Sequence, residues 1–492
     1  MSEPTQSKLN EILERFLKNF RSKSGEPIYR IRVSQMIATG RRSLTIDFDD
    51  LLIFDVEITN RMLSNPDESL ESFRNALYET VRTENPSYAE KYKKDLMVRI
   101  RNLQDKISIR TVSTIHLDKL IAATGIVVRT SDVKPLAIEA AYKCLKCGHT
   151  NLILQKKIIL KRPRRCSKCD EIKNFELVEK ETRFQDYQII RMQELPEELP
   201  PGQLPQSFDI SLTGDLVNSV RPGDRIVLTG IVRAEPEYSQ GKGRLTIFRS
   251  TIEGNYAEVI GKEPDEIQIS KEDEAIIKSI ASQPNAYQRL IESVAPAIHG
   301  HENQKEAILL MMLGSPRHVL PDGTNIRGDI NVLIVGDPGT AKSELLKYAV
   351  RVAPRGLYTS GRGSTAAGLT AAVVREKNGL MMLEAGAVVL ADQGIASIDE
   401  FDKMRNEDRS ALHECMEQQT VSVAKGGIVA TLNARTSVLA AANPLLGKYD
   451  EFRNIVENVN LPIPLLTRFD LIFVLKDKPD RTKDEQLARH VL

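Results

Sequence analysis

The sequence predicts a multidomain protein with a helical N-terminal subdomain, then a small β-barrel, then an α/β core built on a parallel sheet. Three observations predict this order. Apolar residues recur at three- and four-residue spacing over residues 1–105, and short alternating runs follow over residues 106–256. From residue 276 to residue 492, apolar strands alternate with helical segments, which is the pattern of a parallel sheet covered by helices. A length of 492 residues also favours about three domains.

The composition is that of a soluble globular protein, with 41% hydrophobic and 27% charged residues. The net charge is only +1, so any binding of nucleic acid must use local basic patches. The N-terminus MSEPTQSKLNEILERFLKNF lacks the apolar segment of a signal peptide, and no run is long and apolar enough to predict a membrane span. Five cysteines are too few for a disulfide scaffold. We therefore expect a protein of the reducing, intracellular compartment with no membrane partner.

The helical subdomain is predicted for residues 1–105. The segments NEILERFLKNF and ESFRNALYETV place their apolar residues on one side of a helix. A packed helical domain explains this pattern without a dedicated binding function.

The β-barrel is predicted for residues 106–256. LIAATGIVVRT, FDISLTGDL and DRIVLTGIVRA alternate apolar and polar residues, and Gly, Pro and Asp turns separate them. Several short strands in succession favour a small barrel, and the OB-fold is the candidate. A cysteine-containing ribbon is predicted as an insertion at about residues 141–180.

Four of the five cysteines form two close pairs. Cys144 and Cys147 are followed, after eighteen residues, by Cys166 and Cys169. Two such pairs suit one tetrahedral Zn²⁺ held by four thiolates, as in a zinc ribbon. The alternative is two redox couples or unrelated thiols. Because four thiolates complete the coordination shell and leave no position for water, we expect the zinc ion to be structural.

A basic run, KKIILKRPRRCSK, lies between and beside these pairs. It carries seven cationic side chains in thirteen residues. Such a run is usually a solvated surface. Beside a zinc ribbon on a barrel, contact with nucleic-acid phosphates explains it equally well. The sequence leaves both interpretations open.

A linker is predicted for residues 257–275, because EGNYAEVIGKEPDEIQISKEDE (253–274) is acidic, polar and weakly periodic. The α/β core follows at residues 276–492. No internal repeat interrupts this order of domains.

A phosphate-binding loop is predicted at residues 336–343, which read GDPGTAKS directly after the apolar run DINVLIV. The usual pattern is G-x-x-x-x-G-K-[ST], and an alanine replaces its second glycine. The helix ELLKYAVRVA follows, so strand, loop and helix give the setting that the motif requires. The predicted nucleotide-binding residues are Gly336, Asp337, Pro338, Gly339, Thr340, Ala341, Lys342 and Ser343.

Each part of this loop has an expected role. Main-chain N–H groups would hold the anion, Lys342 would reach the β- and γ-phosphates, and the Ser343 hydroxyl would hold Mg²⁺. Ala341 is compatible with the loop if its φ is negative, as expected so close to the start of a helix. The conformations that only glycine adopts would then fall to Gly336 and Gly339.

Polar residues also end two later strands of the predicted sheet. The run GIASI leads into Asp399 and Glu400, fifty-seven residues after Lys342. We expect Asp399 to orient Mg²⁺ through its water shell, and Glu400 to polarise the water that attacks the γ-phosphate. Asn443 follows the apolar run of TSVLAAANP and would position the same water.

Arg468 lies just before the last predicted strand, in LLTRFDLIFVL. Two interpretations are open. It forms a salt bridge with Asp470, or it is an arginine finger whose charge stabilises the γ-phosphate transition state. The predicted catalytic residues are therefore Lys342, Asp399, Glu400, Asn443 and Arg468.

GDPGTAKS, followed by IDEFDKM and then LTRFD, resembles the MCM (minichromosome maintenance) replicative helicases of the AAA+ class. The resemblance covers most of the chain, including the segment ELPEELPPGQLP, and the layout is most similar to the archaeal members. It implies that the alanine before the lysine belongs to the family's variant of the loop. It also implies ATP, Mg²⁺ and a structural Zn²⁺ as cofactors. Single-stranded and forked DNA, other replication factors and a homo-oligomer, either a hexamer or a double hexamer, are the implied partners.

The same resemblance assigns further roles. Arg468 would act in trans on the ATP of a neighbouring subunit, and Asn443 would be the family's first sensor. Three β-hairpins are expected to reach into a central channel: AAVVREKNGLMMLEAG, TVSVAKGGIVATL and EPEYSQGKGRLTIF. Lys425 in the second hairpin, and Lys242 and Arg244 in the third, are the implied DNA contacts. Without the resemblance, each lysine is an ordinary exposed turn residue.

The resemblance therefore implies an ATP-dependent replicative DNA helicase subunit, located in the cytoplasm or nucleoid of an archaeon, or in the nucleus of a eukaryote. Family members continue into a helical lid with a second sensor arginine, and no residue before the final QLARHVL can be assigned that role. We expect a polypeptide ending there to hydrolyse ATP poorly or assemble weakly. Two alternatives remain: an AAA+ ATPase that remodels protein complexes, and a DNA-binding scaffold with a silent ATPase.

Overall fold

The computed structural model describes most of the chain. The described residues are 6–21, 26–155, 160–195, 199, 203–239, 243–260, 271–316, 318–320, 325–353, 355–363, 365–375, 381–425, 428–459, 461–477, 481, 485 and 488. They form two compact units, one up to Ile260 and one after it, and short segments at 195–203 and 222–224 belong to the second unit. No helix in the described ranges is long and apolar enough to cross a membrane.

Helices make up most of the N-terminal part of the first unit. They are α1 (Gln6–Asn19), α2 (Ile28–Ala38), α3 (Phe48–Phe54), α4 (Val56–Ser64), α5 (Pro66–Glu84) and α6 (Pro86–Tyr92). Local sequence sets several of their starts. The Asp55 carboxylate accepts the N–H groups of Glu57 and Ile58 at the start of α4, and prolines begin α5 and α6. The helices enclose a core that contains Leu13 and Phe16.

Two short strands join this helical part, although only helices were predicted for it. They are β1 (Ser43–Asp47) and β2 (Met97–Arg101), and they pair in parallel. Leu44 and Ile46 of β1 are buried, as are Val98 and Ile100 of β2. Strands of five residues are too short to give a periodic signal that stands out from the surrounding helices.

A closed barrel forms the rest of the first unit. Its strands are β3 (Lys106–Ser108), β4 (Leu120–Ser131), β5 (Lys134–Cys144), β6 (Thr150–Leu154), β7 (Phe175–Leu177), β8 (Arg183–Gln193), β9 (Ser207–Thr213), β10 (Arg225–Ser239) and β11 (Gly243–Ile260). Pairing runs from β4 to β10, β11, β9 and β8, and β8 pairs again with β4. Five strands thus close on themselves, as an OB-fold requires.

The cysteine-containing insertion extends from β5. Both β6 and β7 pair antiparallel with β5, and β8 then returns to the barrel. Cys144 ends β5, Cys147 lies on the turn before β6, and Cys166 and Cys169 lie between β6 and β7. The barrel with its insertion was predicted, and the structure confirms it.

The second unit is built on a five-stranded parallel sheet. Its strands are β14 (Val332–Gly336), β15 (Gly356–Ser360), β18 (Ile395–Asp399), β21 (Ser437–Ala442) and β22 (Leu471–Leu475), in the order β15-β18-β21-β14-β22. Alternate residues of β14 face different cores: Leu333 and Val335 lie in one, Val332 and Ile334 in the other. Burial of both faces explains the unbroken apolar run of the central strand and confirms the predicted α/β core.

Helices and short hairpins surround this sheet. The helices are α7 (Lys271–Ala281), α8 (Ala286–Ser293), α9 (Glu302–Leu313), α10 (Lys342–Val352), α11 (Ala366–Leu369), α12 (Ala387–Leu390), α13 (Asn406–Gln418), α14 (Ile455–Val459) and α15 (Ile463–Leu466). The paired strands are β12 (His318–Val319) with β13 (Asn325–Ile326), β16 (Ala371–Arg375) with β17 (Met381–Ala385), and β19 (Thr420–Lys425) with β20 (Ile428–Asn433).

All three predicted channel hairpins have paired strands, while their tips lie outside the described residues. The tip at 376–380, with Asn378 and Gly379, is one case, and the glycines at 426–427 are another. Lys242, between β10 and β11, also lies outside them. The predicted linker, 257–275, overlaps the end of β11 and the start of α7, and its middle part, 261–270, falls outside the described residues.

Candidate active site and metal centre

The polar residues predicted to act together meet at one edge of the parallel sheet, where the strands end. A cavity of about 610 Å³ opens there. Its lining residues are Pro338, Gly339, Thr340, Ala341, Lys342, Ser343, Glu344, Tyr358, Ser360, Asp399, Glu400 and Asn443. Four of the five predicted catalytic residues therefore share one cavity, and Arg468 does not line it.

The loop between β14 and α10 has the predicted setting but a different backbone conformation. Gly339 has φ +88°, as expected for a glycine position. Ala341, however, has φ +58° and ψ +15°, so the prediction of a negative φ is wrong. The physical reason is that α10 begins only at Lys342, which leaves Ala341 outside the helix as its N-cap residue.

Gly336 is required for a different reason than the one predicted. Gly336 does not have a positive φ. A β-carbon there would instead lie 2.7 Å from Leu475 Cβ and 2.8 Å from the Leu475 carbonyl oxygen. Glycine at this position allows β14 and β22 to approach each other beside the loop.

Asp337 braces the loop, a role that the sequence did not indicate. Its carboxylate accepts the Tyr449 N–H at 2.8 Å and the Asp477 N–H at 3.0 Å. The Thr340 hydroxyl donates to the Asp337 carbonyl at 2.8 Å. The loop is thereby fixed to the segments that follow β21 and β22, so the anion-binding N–H groups are held in place before any ligand arrives.

The Lys342 ammonium points into the loop. Its Nζ donates to the carbonyls of Gly336 and Asp337, both at 2.7 Å, and lies 3.3 Å from the Thr340 hydroxyl. The residue is only 7% exposed. Burial lowers the pKa of Lys342 below its usual value, while the nearby Asp399 and other carboxylates oppose that shift.

The acidic pair is held by β15, the neighbouring strand. Asp399 accepts the Tyr358 hydroxyl at 2.9 Å through one oxygen and the Glu400 N–H at 2.8 Å through the other. The Ser360 hydroxyl donates to Glu400 at 3.2 Å. Glu400 has φ +49°, which turns its side chain out of the strand direction and toward the cavity that it lines.

Tyr358 and Ser360 were missed in the sequence. Burial is the larger cause and the hydrogen bond to Asp399 the next, and together they raise the pKa of Tyr358 to about 12. The phenol therefore stays a neutral donor near pH 7. The signal that was available is their spacing in GLYTS: residues two apart on a strand share one face, and this strand ends beside the loop.

Asn443 directly follows β21, as predicted, and lines the cavity. Its N–H donates to the Asp402 carboxylate at 3.0 Å. Asp402 also pairs with Lys403 at 3.0 Å. The tip of β21 is therefore tied to the acidic segment that follows β18, and Asn443 and Glu400 both line the cavity.

Arg468 pairs with a residue that neither interpretation had named. Its Nη2 lies 2.6 Å from Glu417 Oε1 on α13. Asp470 pairs instead with Arg327, at 2.9 Å, so the proposed salt bridge between Arg468 and Asp470 is not formed. The Arg468 side chain remains 33% exposed and does not line the cavity of its own chain.

The predicted DNA-contact residues are only partly described. Lys425 is the last residue of β19 and is exposed. Arg244 lies in β11 opposite Tyr238 of β10. Lys242 lies outside the described residues, so the structure gives a position for the backbone of two of the three.

The four paired cysteines converge on one point. All of their Sγ atoms lie within 4.8 Å of one another, and none of the cysteines forms a disulfide. The Sγ atoms of Cys144 and Cys169 lie 3.6 Å apart, as do those of Cys147 and Cys166. Each of these contacts joins a cysteine of the first pair to a cysteine of the second. Four sulfurs about 2.3 Å from a tetrahedral Zn²⁺ would lie about 3.8 Å apart. The geometry therefore fits a single zinc ion.

Hydrogen bonds around Cys166 also suit a thiolate ligand. Its Sγ accepts the Lys168 N–H at 3.5 Å and the Asn151 side-chain amide at 3.7 Å. These donors, led by the Lys168 N–H, lower the pKa of Cys166 to about 6. Donors that stabilise the ionised sulfur are expected at a metal site.

The basic run beside the cysteines presents its charges to solvent. Lys161, Arg162, Arg164, Arg165 and Lys168 are all exposed. Within the part of the chain that the structure describes, none of these five forms an ion pair. Uncompensated, exposed cations on one short segment leave both earlier interpretations open, a solvated surface and a phosphate-binding surface.

Comparison with known proteins finds similar sequences along nearly the whole chain. Family models match as the MCM N-terminal domain at residues 10–102, the MCM OB domain at 108–236 and the MCM P-loop domain at 273–492. The Minichromosome maintenance protein MCM of Saccharolobus solfataricus is 44% identical over 98% of this chain, which spans 71% of that protein. The DNA replication licensing factors MCM4 and MCM7 of Arabidopsis thaliana are each 38% identical over 98% and 97% of the chain, which spans 60% and 72% of their lengths.

Proposed function

Because the chain belongs to the minichromosome maintenance (MCM) family, we propose that it is a subunit of an ATP-dependent replicative DNA helicase. The observation that carries this proposal is the single cavity shared by the phosphate loop, the acidic pair and Asn443. These are the parts needed to bind a nucleoside triphosphate and activate water against it. On this proposal the protein acts on chromosomal DNA, inside the cell.

The residues that line the cavity are proposed to have the following roles. The loop N–H groups hold the phosphates, and the Lys342 ammonium exchanges the carbonyls of Gly336 and Asp337 for phosphate oxygens. Ser343 and Asp399 would hold Mg²⁺, which would supply positive charge to neutralise the β- and γ-phosphates. Glu400 orients and polarises the attacking water, with Asn443 beside it.

The proposed active unit is a ring of subunits, a hexamer or a double hexamer. Arg468 does not line the cavity of its own chain and is partly exposed, which supports action on the ATP of a neighbour. Hairpins carrying Lys425, Lys242 and Arg244 contact the phosphates of a DNA strand in the channel. Other replication factors are the further partners proposed.

The four-cysteine ribbon is proposed to hold a structural Zn²⁺. Cys144, Cys147, Cys166 and Cys169 supply four thiolates at distances that suit one tetrahedral ion. No fifth ligand position remains for substrate, so the ion stabilises the ribbon and takes no part in the hydrolysis of ATP.

The test of this function is Lys342→Ala. Without the ammonium, the γ-phosphate loses its main cationic side-chain contact from this chain, so ATP hydrolysis and strand separation should both fall by roughly a hundredfold or more. Binding of single-stranded DNA should persist. The measurements are ATP turnover with and without single-stranded DNA, and displacement of a labelled strand from a fork. Lys347→Ala, an exposed lysine on the same helix, is the matched control and should behave as the parent protein.

The two alternatives predict different results in the same assays. A remodeller of protein complexes would hydrolyse ATP at a rate indifferent to DNA. A scaffold with a silent ATPase would bind the strand tightly and show no turnover at saturating ATP. Hydrolysis retained in Lys342→Ala would refute the assigned phosphate loop itself.

A further inference from the structure

Both the backbone carbonyl and the guanidinium of Arg468 are held by contacts with other residues. Its backbone carbonyl accepts the Asn331 side-chain amide at 3.1 Å and the Arg327 guanidinium at 3.3 Å. Its own guanidinium is held by α13, through Glu417 at 2.6 Å and His413 Nε2 at 3.4 Å. The direction in which Arg468 points is therefore set largely by the last two turns of α13.

The end of α13 leads directly into a hairpin. Gln419 adopts φ +58° and turns the chain from the helix into β19, which begins at Thr420. The Gln419 carbonyl accepts the Ala434 N–H at 2.9 Å, and Thr420 pairs with Asn433, so both strands are fixed at the hairpin base. Glu417 lies two residues before Gln419. The far end of the same strand carries Lys425.

The ion pair between Glu417 and Arg468 adds little to the stability of the fold. Glu417 and Arg468 are 43% and 33% exposed, and ion pairs at such exposure contribute little to folding. The pair does leave the guanidinium available. Arginine has five N–H donors, and the described contacts use Nη2 and Nε, which leaves the Nη1 edge for another acceptor. A guanidinium that is held along one edge can donate its remaining N–H groups to a phosphate bound by a neighbouring subunit.

We propose that Glu417 is a positioning residue that couples the Arg468 guanidinium to the base of the β19–β20 hairpin. A displacement of the hairpin by a DNA strand moves the end of α13, and with it the arginine presented to the neighbouring subunit. DNA in the channel thereby raises ATP turnover at that interface. The inference rests on the proposed function, in which Arg468 acts in trans.

The test is the Glu417→Gln substitution, which removes the charge and keeps the shape. DNA-stimulated turnover should fall roughly tenfold, since a misplaced guanidinium stabilises the transition state poorly. The KM for ATP should stay within about twofold, because the loop that binds ATP belongs to the other subunit. Glu414→Gln, the same change one turn earlier on α13, is the matched control and should behave as the parent. Glu417→Asp, which keeps the charge on a shorter side chain, should retain intermediate stimulation.

Mixed assemblies locate the defect. Lys342→Ala subunits have an intact Arg468 side and an inactive loop. Mixing them with Glu417→Gln subunits, or separately with Arg468→Ala subunits, should restore DNA-stimulated turnover, because the intact loop then meets an intact arginine. A general weakening of α13 would not be repaired in this way.

Three results would overturn the inference or its basis, and they differ. If DNA stimulates ATP turnover equally in Glu417→Gln and Glu414→Gln, Glu417 does not position Arg468. If Arg468→Ala recovers in the mixture and Glu417→Gln does not, Glu417 acts within its own subunit and the coupling is wrong. If Arg468→Ala alone hydrolyses ATP at the parental rate, the proposed action of Arg468 in trans fails, whatever Glu417 does.

Discussion

At the phosphate loop, the sequence predicts which residues bind phosphate but does not predict the backbone conformation of each residue. The spacing of Gly336, Lys342 and Ser343 was enough to predict the loop, but not the backbone at Ala341. A non-glycine residue at positive φ costs about 1 kcal/mol or more, and the sequence gives no sign of it. Such strain persists where the surroundings fix the backbone, and here the bracing by Asp337 does so. This contact is made with segments more than a hundred residues away, which no local pattern encodes.

Tyr358 carries the first prediction at this scale. Tyr358→Phe removes only the hydroxyl that donates to Asp399 at 2.9 Å. On the proposal that Asp399 orients Mg²⁺, a less fixed carboxylate should raise the Mg²⁺ concentration for half-maximal ATP hydrolysis roughly tenfold. Turnover at saturating Mg²⁺ should recover to within about threefold of the parent. The measurement is a Mg²⁺ titration of ATP turnover.

A second tyrosine provides the control for this change. The Tyr348 hydroxyl on α10 donates to the Ser293 carbonyl at 2.8 Å and does not line the cavity. Tyr348→Phe should leave the Mg²⁺ dependence unchanged. Equal Mg²⁺ dependence in both variants would mean that Tyr358 supports only the packing around β15, and that Asp399 keeps its position without it.

At the scale of elements, the sequence predicted the strands of the sheet but not their order. DINVLIV, GIASI and TSVLAAANP were recognisable because buried parallel strands are apolar throughout. Their placement side by side, which brings Asp399 and Asn443 together, depends on pairing between distant segments. The same limit explains why Glu417 was not foreseen as the partner of Arg468: fifty-one residues separate them, and Asp470 was the nearest acidic residue after it in the sequence.

The β19–β20 hairpin is expected to contact DNA through Lys425. Lys425→Ala removes an exposed ammonium at the end of β19 without disturbing the pairing of the hairpin. If that ammonium contacts DNA phosphate, strand separation should fall roughly tenfold, which corresponds to about 1.4 kcal/mol. Hydrolysis of ATP without DNA should be kept, because Lys425 is not part of the cavity. Strand displacement and ATP turnover are measured together.

A lysine outside the hairpins controls for loss of charge. Lys278 on α7 is exposed and pairs with Glu274 at 2.6 Å. Lys278→Ala should unwind as the parent does. Normal unwinding by Lys425→Ala would remove this hairpin from the mechanism, and a parallel loss of basal ATP hydrolysis would point instead to a folding defect.

For the whole molecule, the near-zero net charge limits how DNA can be bound. With 68 basic and 67 acidic residues, the chain has no overall field to attract a polyanion. Affinity must come from a few local contacts, each of which releases counterions from the strand. The five exposed cations of the ribbon, at 161–168, are one group that could make such contacts. They have no ion-pair partner among the described residues, so their charge is available to a ligand.

The salt dependence of binding therefore separates the two interpretations of the ribbon cations. Each phosphate contact on single-stranded DNA contributes about 0.7 to the slope of log Kobs against log salt concentration. The double change Arg164→Gln with Arg165→Gln should reduce that slope by about 1.4 if both side chains contact phosphates. Arg74→Gln with Arg82→Gln, on exposed positions of α5, changes the net charge equally and should leave the slope unchanged. Zinc content must stay equal in all variants, because Arg165 adjoins Cys166. An unchanged slope in the ribbon variant would identify these cations as a solvated surface, and the phosphate contacts would then have to come from the hairpins alone.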